Sequence, residues 1–508
     1  MSQYRKISSL KSPSEFREYL AAEKIDIPLN DKPPCDASAA LAQPLHCGPF
    51  SFANRWAILP MEGWDCQRNG TPSELTRRRW LRFAESGAKL LYGTEAAAVM
   101  HAGRSNPNQL MIAEHTAEAL TALCREMRET HRQKFGAGEE LVIGLQLTHS
   151  GRYSHPDDPH ILASRTAYTH PLLDRKFGNG PENIVSDAEL EEIISAFIQA
   201  ATIARRAGFD FVDIKHAHGY LGHELRSAYD RPGSYGGSFE NRTRFFREIA
   251  DGIQKACPDF PISARLSLFD ILPFVKGADG IGMPMQWMEK EYPYAFGGDG
   301  TGLDMDENLQ ETVKFVDLLM EYGVQFICAT VGSPYYNVHL QRPAYYPVCD
   351  GYEMPQNPLY NVARHLKAVQ RLKQLRPAMK IVGSGYSCLQ EFLPHVAEYT
   401  VAKGWTDWVG IGRMVLSYPD IYCDMISGKP LDRKRICRTF GDCTNAPRCG
   451  FVSGCYPLDQ YYKLRPEAEQ LKTILNAHVR HLRVGGSRLH SWRRRNGFRL
   501  FGGEIAQQ

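Results

Sequence analysis

The residues FVDIKHAHGYLGHELRSAYDRPGSYGGSFENRTRFFREI, positions 211–249, decide the fold of this chain. The stretch opens on a short apolar run, Phe211-Val212-Asp213-Ile214, which reads as a buried strand. It turns polar and aromatic at once, with Lys215, His218 and Tyr220. A strand that ends in a cation, an imidazole and a phenol has the pattern of a barrel rim, where strand C-termini carry the chemistry. A glycine-rich turn, Tyr235-Gly236-Gly237-Ser238, then supplies a serine cap, and Phe245, Phe246 and Ile249 have helical spacing.

The same alternation extends in both directions. Strands are expected near residues 57–60, 89–94, 141–147, 261–266, 326–330, 380–383 and 407–411, and helices at 73–86, 116–133, 187–207, 307–322 and 359–375. Together with the opening stretch they predict a (β/α)8 TIM barrel with an N-terminal extension, long loop insertions and a Cys-containing C-terminal extension. The expected divisions are 1–40 for the N-terminal extension and 41–430 for the barrel. A Cys-containing segment, 431–475, follows, and then a basic tail, 476–508, read as poorly ordered, with seven arginines from Arg480 onward. Two irregular excursions, 153–186 and 270–305, are too long for simple connections; such loops often cover active sites.

At 508 residues the chain has length for about two to four domains, or for one barrel of about 250 residues with additions. Its 43% hydrophobic and 23% charged residues are those of an ordinary soluble protein. A formal charge of +3 argues against nucleic acid as the main partner. No apolar run reaches the roughly 18 residues of a membrane span, and the first residues lack a signal-peptide core. A cytoplasmic protein is expected, acting on a small molecule, with a homo-oligomer left open.

Several polar residues stand where an apolar strand makes them costly. Gln146 ends the strand at 141–147, and a buried amide there needs a partner. Arg265 lies inside the strand at 261–266, and a charge in that place is rarely a bystander. Glycines follow the last two strands, as Gly383-Ser384-Gly385 and Gly412-Arg413, in the phosphate-binding arrangement of many barrels. Glu62 reads as a loop carboxylate that caps, Arg104 as a loop ion pair, and His149 as structural.

The opening stretch also resembles the signature of old yellow enzyme-like NADH:flavin oxidoreductases, H-x-x-H-G-Y-L followed by Y-G-G-S-x-E-N-R-x-R-F. The family is related to the FMN barrel of trimethylamine dehydrogenase and 2,4-dienoyl-CoA reductase. The resemblance continues in QLTHSGR and VGIGRMVLSYPD and covers about residues 41–460. It implies FMN, with NADH or NADPH as the electron donor. Pro60, Met61 and Ala96 would lie against the flavin ring, Gln146 on its polar edge and Arg265 beside its N1–O2 edge. Gly383, Ser384, Gly385, Gly412 and Arg413 would hold the phosphate. Tyr220, His218 and Lys215 would carry catalysis. Two residues depart from the pattern: Lys215 replaces the first histidine, and Glu62 stands where relatives place a Thr or Cys that tunes the flavin.

There are 13 cysteines, and the last four, Cys437, Cys443, Cys449 and Cys455, fall at six-residue steps. Larger relatives hold a [4Fe–4S] cluster in this region. Cys437, Cys443 and Cys455 fit three of its ligand positions, but Phe440 occupies the second and Cys449 sits in an interval without a ligand. A cluster normally needs four thiolates. No metal, an iron–sulfur cluster and zinc stay open.

The implied activity is reduction of an electron-poor C=C bond by NAD(P)H through FMN. His218 and Lys215 are the expected donors to the substrate and Tyr220 the acid. An ammonium at Lys215 would favour neutral His218, stabilise a developing enolate more strongly than a neutral imidazole does, and select an anionic substrate. Alternatives are an FMN-dependent amine dehydrogenase or demethylase, a Schiff-base lyase built on Lys215, and a flavin-binding protein without turnover.

Overall fold

The computed structural model describes residues 4–136, 141–289 and 291–484. Eight parallel strands close on themselves: β1 (Trp56–Ile58), β2 (Leu90–Leu91), β3 (Val142–Thr148), β4 (Phe211–His216), β5 (Ile262–Ser267), β6 (Phe326–Thr330), β7 (Lys380–Gly383) and β8 (Trp408–Ile411). Each pairs with its sequence neighbour, and β8 returns to β1, so no edge is left. Helices α1 (Glu74–Ala84), α2 (Glu114–Phe135), α3 (Asp187–Arg206), α4 (Phe239–Ala256), α5 (Gln310–Glu321), α6 (Pro358–Leu375), α7 (Leu393–Ala402) and α8 (Ile421–Ile426) alternate with the strands. The (β/α)8 barrel is therefore observed. One expected strand divides: the segment after β2 leaves the ladder at Thr94 (φ +40°) and re-pairs with β3 as the short strand Ala96–Ala98.

The helix starts follow from their caps. Ser73, Ser186 and Ser238 each accept a backbone N–H from the first turn of the helix that follows. Ser238 is the cap expected from the opening stretch, and Phe245, Phe246 and Ile249 are the buried face of α4.

The barrel interior is layered. At its N-terminal end, Tyr92, Phe211, Phe326 and Trp408 form an aromatic plug, closed from below by the hairpin Leu45–Cys47/Phe50–Phe52. Phe52 meets Trp408 edge-on at 5.0 Å between centroids. At the C-terminal end the layer becomes polar, because alternate residues of a strand share a face. The register sets Ala96 beside Gln146, Gln146 beside Asp213, and Lys215 beside Arg265. Gln146 donates through Nε2 to Asp213, whose other oxygen, Oδ1, has no protein partner. Burial pushes the Asp213 carboxyl up to about 7, against the Gln146 hydrogen bond and the Arg265 charge.

The additions clamp the rim. The first excursion folds back through Arg152, fully buried just beyond β3, which ion-pairs with Asp174 of the excursion and with Glu224 beyond Tyr220. In the second excursion, Tyr294 stacks on Tyr168 and Tyr292 bonds His170, so its aromatics lock the two excursions together. The N-terminal helix Pro13–Ala22 stacks Phe16 on Phe392 at 4.2 Å. Beyond α8, the segment Asp442–Arg448 and the helix Glu467–Val484 build a small apolar cluster around Tyr456, Tyr462 and Leu471. The tail expected at 476–508 thus begins inside a helix, and its part from 485 lies outside the described residues.

Replacing Arg152 by Met leaves Glu224 and Asp174 buried without a counter-charge, which costs about 3–5 kcal/mol. Chemical denaturation of the variant should show a loss of that order, and an unchanged midpoint would contradict the clamp. Asp213 makes a prediction with a sign. Its folded value lies above its ordinary value of 3.8, so the folded protein binds the extra proton between pH 3.8 and about 7. That stabilisation is complete below the unfolded value and is lost as pH rises through about 7. Against Asp213→Asn, the wild-type Tm should fall as pH is raised from about 4 to about 7 and level off above that; a pH-independent difference would contradict the assignment.

Candidate active site

One cleft opens at the C-terminal end of the barrel, enclosing about 1100 Å³ with its mouth. Pro60, Met61 and Glu62 beyond β1 line it, as do Ala96 and Gln146. Lys215, His218 and Tyr220 line the same space, which ends against Arg413, Cys443 and Cys455. Eleven residues chosen from sequence thus meet at one surface. Arg265, Gly383, Ser384, Gly385, Gly412 and Cys437 are not among its lining residues.

The two departures from the family pattern are partners. Lys215 Nζ lies 2.8 Å from Glu62 Oε1, and both side chains are largely buried. The Tyr220 hydroxyl donates to Glu62 at 3.0 and 2.8 Å, Ser105 Oγ at 2.7 Å and Trp64 Nε1 at 3.2 Å. Burial works against ionisation of Glu62, but the Lys215 ammonium and these hydrogen bonds hold its carboxyl below the usual range. Burial pulls the Lys215 ammonium down, with Glu62 opposing. The same Nζ stands 3.8 Å from the centre of the Tyr220 ring, a cation–π contact. Lys215, expected to act on the substrate and to select an anion, lines the cleft with its counter-charge built in. Glu62 is more than a loop cap, since it ties together Lys215, Tyr220, Ser105 and Trp64.

His218 sits in the left-handed region at φ +69°, followed by Gly219 at +79°. Histidine tolerates this conformation better than most residues, at a cost of about 1 kcal/mol. A Cβ at Gly219 would press within 3.0 Å of Ser333 Oγ and the Tyr336 ring. The turn lifts the imidazole over the cleft. Burial holds its pKa well below the ordinary value, helped by the Arg265 and Lys215 charges. Gln341 Nε2 lies 3.0 Å from His218 Nε2; an amide NH2 only donates, so Nδ1 carries the ring proton.

The floor fits a flavin mononucleotide. The Arg265 guanidinium is buried, reaches Pro60 O at 3.4 Å, and leaves Nε without a partner. Arg413 donates to Pro343 O at 2.9 Å and leaves Nη1 buried and unsatisfied. A buried guanidinium with unmet donors is costly unless a ligand completes it. The N–H groups of Gly385 and Gly412 find no protein acceptor among the described residues, and a Cβ at Gly412 would meet no atom within 4 Å. One expectation changes in detail: Gly383 spends its N–H on Thr406 Oγ1 at 3.1 Å and is not free for phosphate. Ser384 Oγ donates to Ala329 O at 2.7 Å, and one of the two N–H groups of the Gln146 amide goes to Asp213.

An iron–sulfur cluster with four thiolates does not fit. Phe440, in the second ligand position, packs on Tyr346 at 5.1 Å. Cys449 is buried in the apolar cluster with Cys349 and shares a hydrogen bond with its thiol. Cys443 Sγ accepts from Arg342 Nη2 at 3.5 Å, and Cys437 and Cys455 stand near Cys443. Asp65, Cys66 and Glu95 bring one ligand atom each within 4.8 Å of one another, and their carboxylates are ion-paired to Arg79. Arg104 bonds the backbone oxygens of Arg68, Pro107 and Gln109, not a carboxylate.

Sequence reasoning missed Ser105, Asp213, Gln341 and Arg342. Asp213 alone left a signal, as a carboxylate inside an apolar strand. Ser105 lies in an irregular loop, and Gln341 and Arg342 at the end of the short helix Val338–Gln341, and the approach of each to the rim is set by tertiary packing.

Comparison with known proteins agrees with this geometry. Residues 40–295, half of the chain, match the model of the NADH:flavin oxidoreductase / NADH oxidase family. An NADPH dehydrogenase of Clostridium acetobutylicum is 34% identical over 233 residues, 45% of this chain and 62% of that protein. The chain therefore spans less than two thirds of that relative. A cinnamate reductase of Clostridium sporogenes is 26% identical over 464 residues, 87% of this chain and 61% of its own length. Among solved structures, a 2-naphthoyl-CoA reductase superposes with TM-score 0.59 at 19% identity, covering 85% of this chain and 58% of that one. A histamine dehydrogenase from Rhizobium sp. 4-9 gives 0.58 at 19%, covering 84% of this chain and 53% of that one. These two likenesses concern the fold. With half of its length matched by the family model, and with that family's motifs gathered around one cleft, the chain belongs to the NADH:flavin oxidoreductase / NADH oxidase family.

Proposed function

We propose that the protein is an FMN-dependent oxidoreductase that uses NADH or NADPH to reduce an electron-poor C=C bond of a small molecule. The observation that carries this reading is the meeting, in one cleft, of a neutral His218, the Tyr220 phenol and the Arg413 guanidinium with its unmet Nη1, while Arg265, also with an unmet donor, is buried against Pro60 of the lining. Bound FMN would supply hydride transfer, which no side chain provides. Arg265, Arg413 and the N–H groups of Gly385 and Gly412 would hold it, with Pro60, Met61 and Ala96 against its ring.

The remaining steps belong to this chain's own residues. His218 Nδ1–H donates to the electron-withdrawing group of the substrate and polarises the double bond. Tyr220 gives its phenol proton to the carbon next to that group. Lys215 and Glu62 form a pair of zero net charge that fixes Tyr220 from below. The name of the cinnamate reductase relative supports an α,β-unsaturated acid or a similar enone-type compound as substrate.

An amine dehydrogenase reading has one feature in its favour, the Glu62 carboxylate in the cleft, but Lys215 already occupies it. The same ion pair disfavours a Schiff-base lyase, which needs a free, neutral amine at Lys215.

The test is the visible spectrum of the purified protein, reconstituted with FMN if needed, before and after anaerobic NADH or NADPH. A flavin band that bleaches, and recovers on adding cinnamate or 2-cyclohexenone, is the expected result. A protein that takes up no FMN would overturn the reading. Arg265→Met should weaken FMN retention at least about tenfold, since it removes a charge-assisted donor, and unaltered retention would remove Arg265 from the cofactor site.

A further inference from the structure

We propose that Tyr335 is the outer member of a two-phenol relay that restores the proton of Tyr220. The inference rests on the reductase reading above and assigns a residue that reading does not use. Tyr335 belongs to the loop after β6, is partly exposed and lines the cleft. Its hydroxyl lies 3.0 Å from that of Tyr220, which is buried.

The direction of this contact follows from the donor inventory. A phenol has one proton, and an ionised carboxylate only accepts. Tyr220 spends its proton on Glu62. The contact between the two phenols is therefore a hydrogen bond only if Tyr335 donates to the Tyr220 oxygen. Glu62 is paired with the Lys215 ammonium and carries no proton to give back.

The geometry of Tyr335 is built rather than incidental. Its ring stacks on Tyr153 at 3.9 Å with planes 8° apart. Its backbone N–H donates to Ser333 Oγ, which in turn donates to His218 O at 2.9 Å. Asn337 anchors the loop to Asp270 at 2.6 Å. The loop is thus tied both to the His218 turn and to the network beneath it.

The step balances as follows. With hydride supplied at one alkene carbon by the reduced cofactor, the other carbon forms a C–H bond as the Tyr220 O–H bond breaks. The Tyr335 O–H bond then breaks as the Tyr220 O–H bond re-forms. The Tyr335 phenolate recovers its proton from water at the mouth of the cleft.

The experiment uses FMN-loaded wild type and Tyr335→Phe, which keeps the stack on Tyr153 and removes only the hydroxyl. The reduced enzyme is mixed with 2-cyclohexenone or cinnamate in H2O–D2O mixtures. The variant should be reduced by NAD(P)H at the wild-type rate but reoxidised by the alkene about tenfold more slowly, less than the about 10²–10⁴-fold of losing a direct acid. The dependence of reoxidation on deuterium fraction should change from curved in the wild type to linear in the variant. Ultraviolet titration of the phenols should also show Tyr220 ionising at a different pH in the variant. Unchanged reoxidation, a slower rate that keeps its curvature, or an unmoved Tyr220 titration would overturn the relay. Failure of NAD(P)H to bleach the flavin, seen before any variant is made, would instead overturn the functional reading.

Discussion

The buried contact between Glu62 and Lys215 is the constraint on which the rest of the site depends. Two charges removed from water cost several kcal/mol each, and only close pairing with extra hydrogen bonds offsets that cost. Here the pairing distance is 2.8 Å, and Tyr220, Ser105 and Trp64 complete the carboxylate. The pair joins the end of β1 to the end of β4 across the barrel mouth. It fixes the Tyr220 ring beneath an ammonium, gives the Tyr220 proton a direction and thereby orders the Tyr335 hydroxyl. Loss of either charge would leave the other exposed to a low-dielectric interior, so the two departures from the family pattern make sense only together.

The barrel itself was legible in the sequence, and for a physical reason. Parallel strands buried on both faces read as apolar runs, and helices announce themselves by serine caps and a 3.6-residue period. Ser238 caps as its position suggests, and Ser73 and Ser186 cap in the same way. Residues on the strand ends were also legible, because the regular register carries each to the rim. Glu62, Lys215, His218 and Tyr220 reach one cleft for that reason.

Pairing was not legible. Glu62 and Lys215 are far apart in the chain, and a single sequence shows two unusual residues without showing that they answer each other. The same holds for Gln146, whose amide is claimed by Asp213 on the next strand, and for Gly383, whose N–H goes to Thr406. The hydroxyl contact of Tyr335 with Tyr220 depends on a fold-wide network through Asp270 and His218. Near the C-terminus, evenly spaced cysteines suggested ligands, but folding divides them: Cys449 joins an apolar cluster while Cys437 and Cys443 stand near Arg342, with Cys455 close to both cysteines.

The central claim is that Glu62 and Lys215 act as one unit, and a double-mutant cycle measures that directly. Denaturation midpoints would be compared for wild type, Glu62→Gln, Lys215→Gln and the double variant. Each single change should lose about 3 kcal/mol, by stranding a buried charge, and the double variant should recover most of it. Losses that simply add would contradict the account.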